Sequence, residues 1–259
     1  MGELRISIVQ SDIRWEDKER NLEHFHSLIS PLKGNSNLVV FPETFSTGFS
    51  MNVLPLAETN NDKTIRTIQE WSEELNIAIA GSFMAKDDEN NYYNRGFFVA
   101  GKEKYFYDKR HLFRMGEENN IFTPGTDYPI ISYQGWNIRL TICYDLRFPV
   151  WSRNKQNEYD LLLNVSNWPK ARAGVWETLL SARAIENAAY VCGVNRIGND
   201  GHGLAHQGDS LIVDYKGNLL FRAETNKESV HTEPLDKNAL VEFRNKFPVW
   251  KDADNFDIM

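Results

Sequence analysis

Apolar and polar residues alternate from Leu4 to Gln10, and apolar residues then return as Leu22, Phe25, Ile29 and Leu32 before Gly34 ends the run. The first pattern has the period of a strand, the second that of an amphipathic helix. The run Asn37–Phe41 (NLVVF) predicts a buried strand, Ile65, Ile68 and Leu75 a second helix, and IAIAGSF from Ile77 another buried strand. The first third therefore repeats β-α-β. YNRGFFVAG and KEKYFYDK predict two strands joined at Gly101-Lys102, followed by a loop over Arg110–Asp127 rich in Gly, Asn and Glu. The βαβ pattern then resumes. Trp136–Ile142 (WNIRLTI) predicts a strand running into a helix that begins near Asp145, Asp160–Val165 (DLLLNV) a strand, about Gly174–Ala189 a helix, and YVCGVNRIG a strand. SLIVDYKGNLLFRAE reads as a hairpin turning at Lys216-Gly217-Asn218, and a last helix is predicted from about Asp236 to Lys246. No internal repeat has a solenoid period.

Three of these strands end in reactive groups. Cys143 follows Trp136–Ile142, Pro42-Glu43 follow Asn37–Phe41, and Ser166-Asn167-Trp168-Pro169 follow Asp160–Val165. In a sheet of parallel strands such ends share one edge, so cysteine, glutamate and an amide-rich loop are expected to converge there. Lys109 lies between them in sequence. A cysteine nucleophile needs a proton acceptor and a group that stabilises the oxyanion formed on the substrate. Glu43 can take the thiol proton, return it to departing ammonia and later deprotonate the water that resolves a thioester. Lys109 supplies positive charge for the oxyanion, and the backbone N–H of Tyr144, at a helix start, a second donor. Together they describe an amidase without a catalytic histidine.

Each residue also has a plainer reading. A free cysteine is commonly a small buried hydrophobe, Glu43 can cap a turn, and most lysines are solvated; the combination is what favours chemistry. Cys192, within YVCGVN, reads as core. Asp145 and Arg147 read as a helix N-terminal acid and its salt-bridge partner, and Trp168 and Trp176 as core, with Trp168 placed to wall a pocket. His111, His202 and His206 raise a cysteine–histidine mechanism or a metal site, yet no grouping has metal-ligand spacing. A substrate carboxylate calls for an arginine fork. Arg172, four residues past Trp168, is the candidate, with Arg147 next.

Composition narrows the class. The 259 residues, with 41% hydrophobic content and no Gly/Ser-rich or charged divider, suggest one domain spanning residues 1–259. A net charge of −7 with scattered basic residues argues against nucleic-acid binding. No cationic leader precedes an apolar run, and no eighteen apolar residues are contiguous, which argues against a membrane protein. Two cysteines make no disulfide framework, and free thiols suit the cytoplasm.

The segments FPETFSTGF around Glu43, YDKRHLF around Lys109, CYDLRFP around Cys143, NVSNWP at Asn164–Pro169 and ARAIENAAYVCGVNRIG after Ala182 resemble those of the nitrilase superfamily of carbon–nitrogen hydrolases, whose glutamate–lysine–cysteine triad occurs in this order. The three residues stand 66 and then 34 apart, and the resemblance spans nearly the whole chain, most closely its bacterial omega-amidase branch. The resemblance implies an α/β fold, a four-layer αββα sandwich. It also implies hydrolysis of the terminal amide of 2-oxoglutaramate or 2-oxosuccinamate through a cysteine thioester, with no metal or organic cofactor, and assembly into a homodimer or larger homo-oligomer. The family has a second glutamate, in the loop after the lysine, that positions lysine and substrate. In RMGEENNIFTPG both Glu117 and Glu118 qualify, and counting back from Pro124-Gly125 favours Glu118.

Overall fold

A computed structural model describes residues 2–257. In chain order the first half contains β1 (Glu3–Gln10), α1 (Lys18–Ile29), β2 (Leu38–Val40), a short α2 (Val53–Leu56), α3 (Lys63–Leu75), β3 (Ala78–Lys86), β4 (Tyr92–Ala100) and β5 (Glu103–Asp108). The second half contains a one-turn α4 (Glu118–Ile121), β6 (Ile130–Tyr133), β7 (Trp136–Ile142), α5 (Pro149–Ser152), β8 (Leu161–Ser166), α6 (Ala173–Asn187) and β9 (Tyr190–Asn195). It closes with β10 (Ile197–Asn199), β11 (Ala205–Gln207), β12 (Leu211–Val213), β13 (Leu219–Arg222), β14 (Ser229–Asp236) and α7 (Lys237–Lys246).

Two six-stranded mixed sheets form, ordered β14-β1-β2-β3-β4-β5 and β13-β12-β9-β8-β7-β6, with β10 and β11 as a separate ribbon. The period of two along each strand explains the layering. Leu38 and Val40 of β2 join Ile6, Ala80 and Phe98 in packing on Ile138, Leu140, Leu163 and Cys192 of the second sheet. The intervening Val39 faces outward, onto Phe25 and Ile29 of α1 and Ile65 and Ile68 of α3. On the far side, Trp176, Leu180 and Ala184 of α6 cover Leu162, Val191 and Leu211. The layers are therefore helix, sheet, sheet, helix, as the resemblance implied. Local signals set the helix limits: Asp17 caps α1 by accepting from the Arg20 N–H, Asp236 caps α7 by accepting from the Asn238 and Ala239 N–H groups, and Asn76 ends α3 in the left-handed conformation.

The structure corrects three expectations. The helix expected after Cys143 is a single 3-10 turn, Cys143–Arg147, because Phe148 precedes Pro149 and is held extended before α5 begins. Three strands went unpredicted: β6 and β14, both at sheet edges, and β11 of the separate ribbon. Pro234 in β14 argues against a strand, but an edge strand tolerates a missing N–H. Finally, the reactive ends do not share one edge of one sheet. Glu43 leaves β2 and Lys109 leaves β5 in the first sheet, whereas Cys143 leaves β7 and Asn167 leaves β8 in the second.

Gly193 of β9 marks a close approach of α6 to its sheet: a Cβ there would lie 2.4 Å from Leu180 Cδ1 and 2.8 Å from the Trp176 ring. Gly193→Ala should cost about 1–3 kcal/mol by overpacking, read as a lowered urea midpoint at unchanged m-value.

Candidate active site

The chain turns sharply just past Glu43 and at Cys143 itself. Thr44 has φ 43° and Cys143 φ 44°, left-handed values that cost a side-chain-bearing residue energy and recur at functional turns. The Thr44 turn is held by its N–H donating to Ser82 Oγ at 2.8 Å.

Behind the turns lies a buried charged cluster. The Lys109 ammonium, 1% exposed, donates to Glu43 Oε1 at 2.9 Å and to Glu118 Oε1 at 3.0 Å, and both carboxylates are fully buried. Asn94 reinforces the pairing with one amide, whose Nδ2 donates to Glu43 Oε1 at 2.8 Å and to Glu118 Oε1 at 3.0 Å. The second oxygen of Glu43 accepts from the Asn167 N–H at 2.8 Å, and the second oxygen of Glu118 from the Phe113 N–H at 2.6 Å. Of the two neighbouring acids, then, Glu118 is the one at the lysine; Glu117, at φ 59°, is exposed.

Burial alone would lower the Lys109 pKa, but attraction to Glu118 and Glu43 outweighs it and holds the ammonium above the ordinary lysine value. Glu118 is raised, chiefly by burial, with Lys109 opposing and Glu43 adding to it. Burial also pushes the Cys143 thiol well above its usual range, Glu43 adds to that, and the Lys109 cation only partly offsets them. The thiol is therefore protonated at neutral pH. A thiol held in this state would need a proton acceptor in order to attack, unlike a cysteine that rests as a thiolate.

A cavity of about 190 Å³ opens onto Glu43, Lys109, Cys143, Tyr144 and Asn167. Phe49, Met51 and Phe113 give it apolar walls. Trp168 both lines it and packs on Trp176, with ring centres 5.5 Å apart, and its Nε1 donates to the Arg172 carbonyl at 2.9 Å. Two cations besides Lys109 face this space. Arg172 lies over the Phe113 ring at 5.4 Å and Arg147 over the Trp168 ring at 5.2 Å. Arg147 thus belongs to the cavity wall and is not the partner of Asp145 that its spacing suggested. Asp145 is instead bound by His111, whose Nδ1 lies 2.8 Å from Oδ1. His111 does not line the cavity; His202 and His206 do. Among the described residues no group of three His, Cys, Asp or Glu is placed to hold a metal ion.

The model of the carbon–nitrogen hydrolase family matches residues 5–245. The chain belongs to that family. Among curated relatives, this hydrolase is 41% identical over 99% of both chains to the omega-amidase YafV of Escherichia coli strain K12. It is 28% identical over 95% of its length, and 96% of the relative's, to the 2-oxoglutaramate amidase of Bacillus subtilis strain 168. Among solved structures it superposes over the full length of both chains, at TM-score 0.97 and 39% identity, on XC1258 of Xanthomonas campestris, a CN-hydrolase superfamily protein with an arsenic adduct in its active site.

Two residues of this hydrolase's site escaped sequence reasoning. Asn94 sits inward on β4, between half-buried neighbours, and a polar residue at an inward strand position is the signal that marks it. Asn167 was noted only as part of an amide-rich loop, yet its N–H binds Glu43 and its Nδ2 donates to the Glu43 carbonyl at 2.6 Å.

His206 gives this site a pH signature. It is 3% exposed, and burial followed by the Arg196 cation lowers its pKa to about 4, against about 6.5 in the unfolded chain. Above pH 6.5 both states hold it neutral; as pH falls from about 6.5 to 4 only the unfolded state takes the proton, and about 3 kcal/mol of stability is lost. His206→Gln should flatten the dependence of the unfolding free energy on pH in that window.

Proposed function

We propose that this carbon–nitrogen hydrolase is an omega-amidase, converting a short 2-oxo acid amide such as 2-oxoglutaramate or 2-oxosuccinamate to the 2-oxo dicarboxylate and ammonia. The observation that carries this reading is the buried Glu43–Lys109–Glu118 cluster beside Cys143, in a small cavity that two arginines face. The relationship to the E. coli omega-amidase supports it.

In this reading Cys143 Sγ attacks the amide carbon while Glu43 takes the thiol proton, so that no free thiolate has to exist beforehand. Negative charge develops on the amide oxygen. Lys109, with two N–H groups committed to Glu43 and Glu118, offers the third, and the Tyr144 N–H is a second donor. Glu43 then protonates the nitrogen, the C–N bond breaks, ammonia leaves and a thioester remains. Water, deprotonated by Glu43, adds to the thioester, and the departing sulfur recovers its proton from Glu43. Glu118 holds Lys109 in place throughout, and Trp168 walls the pocket. Arg172 binds the substrate carboxylate, which enters a site already holding two carboxylates against one lysine and so needs a further cation. No cofactor enters this scheme.

We also infer that the protein is cytoplasmic, acts on a small molecule and not on nucleic acid, works as a single domain, and assembles into a homodimer or larger homo-oligomer. Both cysteines are free, and no helix among the described residues is long and apolar enough to cross a membrane.

Cys143→Ala and Cys143→Ser should leave a folded protein with turnover lower by orders of magnitude, whereas Cys192→Ala stays active. Glu43→Gln should abolish ammonia release and His111→Ala should be far milder; equal losses would favour a cysteine–histidine base. Lys109→Met should raise the acylation barrier by about 3 kcal/mol or more, measured as loss of the pre-steady-state ammonia burst.

Specificity has its own check. Arg172→Met should raise KM for 2-oxoglutaramate by about tenfold, roughly 1.4 kcal/mol, while sparing an uncharged amide of similar length. If both substrates respond alike, the assignment passes to Arg147.

A further inference from the structure

Asp145 is fully buried, and neither oxygen of its carboxylate rests on lysine or arginine. Four donors hold it. Oδ2 accepts from the Ile142 N–H at 3.0 Å and the Tyr107 hydroxyl at 2.6 Å; Oδ1 accepts from the His111 N–H at 2.9 Å and faces His111 Nδ1 at 2.8 Å. The pattern in sequence is what matters. Tyr107 and His111 are the residues two before and two after Lys109, while Ile142 and Asp145 bracket Cys143. A single carboxylate thus ties both flanks of the lysine, at the end of β5 in one sheet, to the cysteine turn after β7 of the other.

The donors are themselves fixed. Burial and then Asp145 hold the Tyr107 hydroxyl well above its usual pKa, so it remains a donor; it also accepts from Trp151 Nε1 at 2.9 Å and the Arg110 N–H at 3.2 Å. The His111 ring stacks on Phe148, 3.7 Å away and within 6° of parallel. A buried carboxylate bound this fully is costly to disturb, and the two segments it joins approach from different sheets with no backbone pairing between β5 and β7. Strand pairing therefore does not set how far Lys109 stands from Cys143.

We propose that Asp145, acting through His111 and Tyr107, is a positioning residue that sets the oxyanion lysine against the nucleophile. It touches neither substrate nor reacting atoms. The inference rests on the roles of Lys109 and Cys143 given above; full turnover by Cys143→Ala would remove those roles, whatever His111 does.

Asp145 variants risk misfolding, so the test uses its half-exposed partner. His111→Leu removes the ring donor, and His111→Asn returns an N–H near the Nδ1 position. Removing the donor should lower kcat about 10- to 100-fold with KM within about twofold of wild type, as expected for a displaced catalytic group. His111→Asn should recover most of that loss. Alkylation of Cys143 by iodoacetamide at one fixed pH, followed by mass spectrometry, separates positioning from general loosening. If Lys109 drifts from the sulfur, the cation favouring thiolate is withdrawn and alkylation slows. If the fold merely loosens, the thiol gains solvent and alkylation quickens. Slower alkylation with reduced kcat in His111→Leu, and the same direction in Tyr107→Phe, supports the proposal. Faster alkylation, unchanged kcat, or a His111→Asn enzyme no better than His111→Leu overturns it.

Discussion

One ammonium between two carboxylates organises this molecule's chemistry. Lys109, Glu43 and Glu118 are all withdrawn from water, and removing the lysine would leave two carboxylates facing each other in a medium that tolerates uncompensated charge poorly. The cluster carries a net negative charge next to a thiol whose proton it helps to retain. That suits a reaction in which the same carboxylate must give a proton back to nitrogen: a site that stabilised a resting thiolate would have already disposed of it. The two asparagines, Asn94 and Asn167, allow this by donating to the carboxylates without adding charge.

The cluster depends on the sandwich. Because β2 and β5 belong to one sheet and β7 and β8 to the other, the acid–lysine half and the cysteine half are brought together by sheet-on-sheet packing through Val40, Ala80, Leu140 and Leu163. A shift between the sheets would be felt as a change in distance between Cys143 and the Glu43–Lys109 pair. Polar contacts between the two halves, Asn167 on Glu43 and the Asp145 carboxylate on Tyr107 and His111, stand where such a shift would be felt.

Much of this was legible in the chain. Strands buried on both faces announce themselves as apolar runs, and the long helices as periodic stripes, while the caps at Asp17 and Asn76 came from the structure. Glu43, Lys109 and Cys143 could be picked out because each follows a strand. What stayed hidden was hidden for physical reasons. Edge strands such as β14 face solvent on one side and carry no strict alternation. Asn94 looks like any strand asparagine until its neighbours across the sheets are known. Asp145 read as a helix acid because its true partners, Tyr107 and His111, lie more than thirty residues away. Arg147 took the wrong partner by the same logic of proximity in sequence.

The origins of the cavity's parts bear on how such an enzyme can change. Glu43, Lys109 and Cys143 stand at or just beyond strand ends, held by the packing of the sheets, whereas the cavity walls come from connecting segments: Phe49 and Met51, Phe113 and Met115, Arg172, and Leu204. Met115 is largely open to solvent and Leu204 partly so. Side-chain changes in those segments can reshape the cavity while leaving the charged cluster in place, whereas changes at the strand ends fall on the cluster and the cysteine themselves. A lineage built on this scaffold is therefore free to diversify in substrate and nearly fixed in reaction.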